Sequence, residues 1–190
     1  MKKIILLFLF IFLLFTFLPS VIFSQVNLGF TGGIGLPIAS KEFKENFSPI
    51  VNAGFHREGV VGNAVTLGWE LNLAHCFPTK QENDPAQLFS GLFYSKLQDN
   101  KAMRDDLQFF LKGGAGLGVA ADGRAGGHPS FPMFALTFLG GAGANYMLKG
   151  GDKIFAETSF KSFYTGTKSN YYHGIYLNVG YSFCLNPSKK

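Results

Sequence analysis

The sequence predicts an all-β protein: a closed, up-and-down antiparallel barrel of about eight strands. Three observations predict it. Apolar residues alternate with small or polar ones at period two over long stretches. Those stretches run to roughly ten residues or more, against about five or six for a strand in an ordinary sheet. Clusters of Gly, Pro, Asn, Asp and Lys separate them and read as turns.

The first residues stand apart from the fold. Lys2 and Lys3 precede an apolar run from Ile4 to Leu18, then Pro19, Ser20 and Ser24. A basic start, a short greasy run and a small residue near the cut describe a secretory signal peptide over 1–24. The mature barrel domain is then 25–190. A retained membrane helix needs about 20 apolar residues, and Thr16, Pro19 and Ser20 interrupt this one. The residue after the cut is not Cys, so no lipoprotein anchor is expected.

The strands follow in order. Val26, Leu28, Phe30, Ile34 and Leu36 share one parity, with Asn27, Gly29, Thr31, Gly33 and Gly35 on the other. Turn signals at 37–46 and 58–62 bracket the second strand. Val65, Leu67, Trp69, Leu71 and Leu73 alternate with Thr66, Gly68, Glu70, Asn72 and Ala74, and a turn signal covers 78–86. Residues 84–97 are ambiguous. Leu88, Phe89, Leu92, Phe93 and Leu97 have helical spacing, with Asp84 as a cap and Pro85 behind it. Without a strand here the count is seven, and bacterial single-chain barrels have even numbers. A strand over 87–97 is therefore expected. Leu107, Phe109, Leu111, Ala115, Leu117 and Val119 form the next apolar parity, and 122–130 turns. Phe134, Leu136, Phe138, Ala142, Ala144 and Tyr146 form another, before a turn at 149–152. The last two strands are 153–164 and 176–183, with turn signals at 165–170 between them.

These stretches resemble a small bacterial outer-membrane β-barrel of the OmpA-like type. The segments that carry the likeness are "VNLGFTGGIGLP" (26–37), "LQFFLKGGAGLGVA" (107–120), "FLGGAGANYML" (138–148), "KIFAETSFKSFY" (153–164) and "YLNVGYSF" (176–183). The resemblance covers the mature chain and carries no catalytic signature. It implies location in the bacterial outer membrane, with that membrane's lipids as surroundings. It also implies that the last strand, through Tyr181 and Phe183, is read by the barrel-insertion machinery. Many members end at that aromatic; here residues 184–190 follow. A peptidoglycan-binding domain often follows the barrel in this family, and the chain to Lys190 is not expected to inherit that role.

Within a bilayer every backbone polar group needs a partner inside the protein, so the sheet must close. Closure leaves one face to lipid and one to the interior. About eight strands leave an interior that side chains fill. Leu177, Val179, Tyr181 and Phe183 then face lipid, and Tyr176, Asn178, Gly180 and Ser182 face inward. With a periplasmic start, the short turns 58–62 and 149–152 are periplasmic, and 37–46, 78–86 and 122–130 lie outside. The 98–106 connection is long for its side. Aromatics are expected at both rims: Phe47, Phe77, Tyr164 and Tyr171 outside, Tyr146, Tyr181 and Phe183 inside.

The inward parity collects Glu70, Lys112, Glu157 and Lys161. Charges in a dry interior are costly unless paired. Glu157 and Lys161 lie roughly 13 Å apart along one strand, so each needs a partner across the lumen. The set reads as a polar core plug; a gate or narrow ion path is the functional alternative. Inward glycines (Gly114, Gly116, Gly118, Gly141, Gly143) leave room for water, or for Phe110, Phe155, Tyr172 and Tyr176 from opposite walls.

Other chemistry finds little support. The runs "GGAGLG" and "GGAGAN" lack the spacing of a nucleotide loop. His56, His75, His128 and His173 lack metal-ligand spacing. The net charge is +5; without Lys2 and Lys3, 15 Lys plus Arg face 12 Asp plus Glu, a net +3. That is too mild for nucleic acid. Cys76 and Cys184 fall near opposite rims, too far apart for a disulfide. Some barrels of this size modify lipid A with Ser, His and an acid on the lipid-facing wall, but "SNYYHG" (169–174) does not follow their order. No catalytic residue, metal or cofactor is expected. The expectation is a non-enzymatic outer-membrane protein with a structural or surface-exposed role. A small low-conductance channel is the alternative, and a lipid A-modifying enzyme the next.

Overall fold

A computed structural model describes residues 25–38, 45, 47–61, 64–79, 85–98, 106–121, 133–165 and 171–185. The segment 1–24 and most residues of the expected outer loops, His128 among them, lie outside the described residues.

Eight strands form one closed sheet: β1 Gln25–Pro37, β2 Phe47–Val60, β3 Val65–Pro78, β4 Ala86–Gln98, β5 Leu107–Ala121, β6 Met133–Met147, β7 Lys153–Tyr164 and β8 Tyr171–Cys184. Each pairs antiparallel with its chain neighbour. β1 pairs with β8 from Asn27 opposite Cys184 to Pro37 opposite Gly174, which closes the cylinder. Both ends of the barrel chain therefore lie at one rim, with the connections 61–64, 99–106 and 148–152. At 148–152 the chain turns through Gly150 and Gly151, both in the left-handed region where other residues are strained.

The expected β4 is a strand. Its helical spacing arises because both faces are apolar. Leu88, Leu92 and Tyr94 fill the interior, while Phe89 and Leu97 are exposed on the outside. Two expectations need correction. β2 runs through Glu58 to Val60, so the turn begins later than residue 58. Phe47 does not ring the outer rim. A register irregularity between Phe47 and Ile50 turns it inward, where it is buried.

The outer wall is greasy. Phe30 is 59% exposed, Leu177 56% and Val179 61%, whereas their inward neighbours Tyr176 and Asn178 are buried. A continuous apolar belt of this kind would drive aggregation in water and is matched by lipid. Leu67 is exposed on this wall; Trp69 is 7% exposed, covered by side chains such as Phe55, whose ring centroid lies 5.6 Å away. Phe77, Tyr164, Tyr146 and Phe183 are exposed near strand ends. The side chain of Tyr171 lies outside the described set.

The interior has two layers. Toward the rim that bears the connections 79–85 and 165–170, Phe47, Ile50, Leu88, Phe163, Tyr172 and Tyr176 pack into an apolar cluster that also buries Cys76. Cys184 lies at the other rim. Below the cluster, toward the chain ends, the filling is polar and charged. Glycines make room for rings, several of them from the strand alongside, while Gly118 of β5 meets the Phe163 ring of β7. Phe110 is paired with Gly143, Phe155 with Gly180, Tyr176 with Gly35, and Tyr94 with both Gly68 and Gly114. A Cβ at Gly143 would stand 2.6 Å from Phe110 Cζ, and one at Gly68 the same distance from Tyr94 Cζ. Each ring occupies the space a side chain at the paired glycine would need. Tyr172 belongs instead to the apolar cluster.

Candidate functional site

Strand parity places chemistry in the lumen. Glu70 (β3), Lys112 (β5), Glu157 and Lys161 (β7) meet there. Lys112 Nζ donates to Glu70 Oε2 at 2.6 Å and to Glu157 Oε2 at 3.2 Å. Lys161 Nζ donates to Glu70 Oε1 at 2.9 Å. Glu157 and Lys161 each pair across strands rather than with one another.

A second cluster lies nearer the chain ends. Glu58 accepts from Lys96 Nζ at 2.8 Å, from Lys153 Nζ and from Tyr94 Oη at 3.2 Å. Tyr94 joins the two clusters, because Lys112 Nζ sits 4.3 Å from its ring centroid. Lys96 Nζ likewise lies 4.4 Å from the Phe110 centroid. Around them, His56 Nε2 bonds with Ser182 Oγ at 2.7 Å, and Asn52 Nδ2 donates to Asn178 Oδ1 at 2.9 Å. All these groups are buried or nearly so. The desolvation each charge incurs is offset only by multiple partners, which the three glutamates and four lysines supply.

Glu58, Lys153, Lys96 and His56 join the lumen network although strand parity alone did not single them out. Glu58 was placed in a turn, Lys153 at a strand edge, Lys96 in the ambiguous segment, and His56 among histidines without ligand spacing. Strand parity was the available signal: Asn52, His56 and Glu58 alternate on β2 as Glu70 does on β3.

The lumen is full. The free space bounded by Thr31, Glu70, Tyr94, Lys112, Glu157 and their neighbours is about 10 Å³, at the lower limit for a single water. The apolar cluster closes the barrel above it.

At the rim of the chain ends, Tyr181 Oη donates to Asp152 Oδ2 at 2.6 Å, and the Cys184 backbone N–H donates to Asp152 Oδ1 at 2.8 Å. These two bonds hold the Asp152 carboxyl below its ordinary range. They also tie the end of β8 to the turn before β7. Phe183 stands against Tyr181, with ring centroids 4.7 Å apart, and is partly exposed on the outside.

On the outer wall, Ser162 and His173 are cross-strand partners. The outward positions of the four strands around them, β6, β7, β8 and β1, include no Asp or Glu among the described residues.

A closed antiparallel eight-stranded cylinder with a lipid-matched exterior and a packed interior is the fold of the small outer-membrane barrels. Among solved structures, the chain is similar to Neisserial surface protein A, at 12% identity over 84% of this chain and 96% of that one, with a TM-score of 0.62. It is also similar to the N-terminal β-barrel domain of Pseudomonas aeruginosa OprF, at 16% identity over 84% of this chain and 98% of that one, with a TM-score of 0.50. At such identities the likeness is one of fold. No protein-family model matches the sequence, and no curated protein does.

Proposed function

We propose that the protein is an integral barrel of the bacterial outer membrane with a structural or surface-exposed, non-enzymatic role and a lumen closed to ions. One observation carries this reading: the interior is occupied along its length, by paired charges in one half and by apolar side chains in the other. The lumen network of Glu70, Lys112, Glu157 and Lys161 then serves as a core plug. A channel needs a continuous wet path, and neither half offers one. A lipid A-modifying enzyme needs an acid to orient and charge-balance a histidine, and among the described residues the strands around Ser162 and His173 carry none on that face. Outer-membrane lipids surround the wall, and Tyr181 with Phe183 presents the last strand to the insertion machinery.

Planar-bilayer conductance tests the closed lumen. The wild-type protein is expected to pass no current above the bare membrane. The double variant Glu70→Gln, Lys112→Gln is expected to stay silent too, because the apolar cluster remains. Unitary currents from the wild type would overturn the reading, and currents from the double variant alone would make the charges a gate.

A further inference from the structure

Inside the closing joint, β1 turns Gly29, Thr31, Gly33 and Gly35 toward the lumen. Two of these glycines lie under hydrogen bonds made by the strands on either side. Gly29 pairs with His56 on β2 and Ser182 on β8, and His56 Nε2 bonds with Ser182 Oγ at 2.7 Å. Gly33 pairs with Asn52 on β2 and Asn178 on β8, and Asn52 Nδ2 donates to Asn178 Oδ1 at 2.9 Å. A Cβ at Gly29 would collide with Ser182 Oγ and His56 Cε1, and one at Gly33 with Asn178 Oδ1. Side chains of β2 and β8 thus meet over β1 like two staples, and all four are buried.

Between the staples the order inverts. Thr31 stands between Gly54 on β2 and Gly180 on β8. A Cβ at Gly54 would lie 2.8 Å from Thr31 Cγ2. Successive rungs across β2, β1 and β8 therefore alternate. Glycine is central where its two neighbours are large, and flanking where the central residue is Thr31.

Apolar and polar alternation leaves one ambiguity in such a joint. A slip of one residue turns a strand inside out, so the lipid face excludes it. A slip of two keeps every side chain on its own face. Moving β8 by two residues in one direction sets Thr31 against Ser182 and Gly33 against Gly180. The other direction sets Thr31 against Asn178 and Gly29 against Gly180. Either slip parts His56 from Ser182 and Asn52 from Asn178, which leaves buried polar atoms without those bonds.

We propose that these three rungs are the register key of the closing seam. They select the native pairing of β8 with β1 over pairings displaced by two residues, because β8 has to match β1 and β2 together.

Cysteine crosslinking in the purified, refolded barrel reads the register, in a background of Cys76→Ser and Cys184→Ser. Gly32 and Val179 are paired on the outer face, whereas a two-residue slip brings Gly32 opposite Leu177 or Tyr181. Gly32→Cys is combined in turn with Val179→Cys, Leu177→Cys and Tyr181→Cys, and disulfide formation is scored after oxidation. Directly opposed residues lie within disulfide reach, and residues offset by two stand about 7–8 Å apart, beyond it. With the staples intact, the pair at 32 and 179 is expected to dominate. With Ser182→Ala and Asn178→Ala, the slipped-to-native ratio is expected to rise on the order of tenfold, the scale of two lost hydrogen bonds. The joint between β5 and β6 serves as control, with Gly113→Cys opposite Gly140→Cys for the native register and Ala142→Cys for a slipped one. Its ratio is expected to stay constant. An unchanged ratio at the seam overturns the key. An equal rise at the β5–β6 joint also overturns it, since the barrel would then be loosened throughout. If the double variant fails to refold, Ser182→Ala and Asn178→Ala are scored singly, with about a threefold rise expected from each and no rise in either overturning the key.

Discussion

Glu58 illustrates how much one residue can hold. It neutralises two lysines from two other strands and accepts a tyrosine hydroxyl as well. Glu157, by contrast, meets Lys112, which also has Glu70. Removing a charge that leaves buried partners unpaired costs about 3–5 kcal/mol. Glu58→Gln is therefore expected to destabilise the barrel by that amount in urea unfolding from lipid vesicles, and Glu157→Gln by clearly less. Equal losses would show that the charges do not act as two clusters. The inward charges Glu70, Lys112, Glu157 and Lys161 were legible because they sit inside long, cleanly alternating stretches. Glu58, Lys96 and Lys153 were not, because each lies near a strand end, where turn residues and strand residues look alike. Their pairings across the lumen depend on which strands face one another, and parity alone does not contain that.

At the scale of the element, several aromatic rings are seated on a glycine of the paired strand. Gly180 lies beneath the Phe155 ring, and an added Cβ would collide with ring and backbone. Gly140 points outward, and a Cβ there meets nothing within 4 Å. Gly180→Ala is expected to cost about 1–3 kcal/mol through overpacking. Gly140→Ala is expected to be neutral or to stabilise by up to about 1 kcal/mol, through the reduced freedom of the unfolded chain. Denaturant titration of both variants checks the contrast, and similar effects would show that interior glycines are not shaped by their rings. Strand identity was legible wherever the two faces differ. β4 was ambiguous because its interior face is as apolar as its exterior, so periodicity had no contrast to report and strand count decided. The inward turn of Phe47 was hidden, since it depends on a local irregularity against β3.

For the whole molecule, eight alternating stretches and the need to satisfy every backbone group in lipid were enough to reach a closed cylinder. The division of its interior into an apolar and a charged layer was not legible, because it is a property of height summed over all strands. The proposed use of the last strand as an insertion signal belongs to this scale. Phe183 is 46% exposed on the outer wall, with its ring against Tyr181. Phe183→Ala is expected to lower the amount of barrel assembled in the outer membrane of living cells several-fold, while refolding in detergent stays as efficient as for the wild type. Parallel losses in both would reduce Phe183 to a packing residue. The seam between β1 and β8 has a further consequence. The earliest strand to leave the ribosome has its partner at residues 174–184, so no growing fragment can finish its hydrogen bonding. Hairpins between consecutive strands can form earlier, but connectivity forbids closure of the cylinder until the last strand is available to zip it shut.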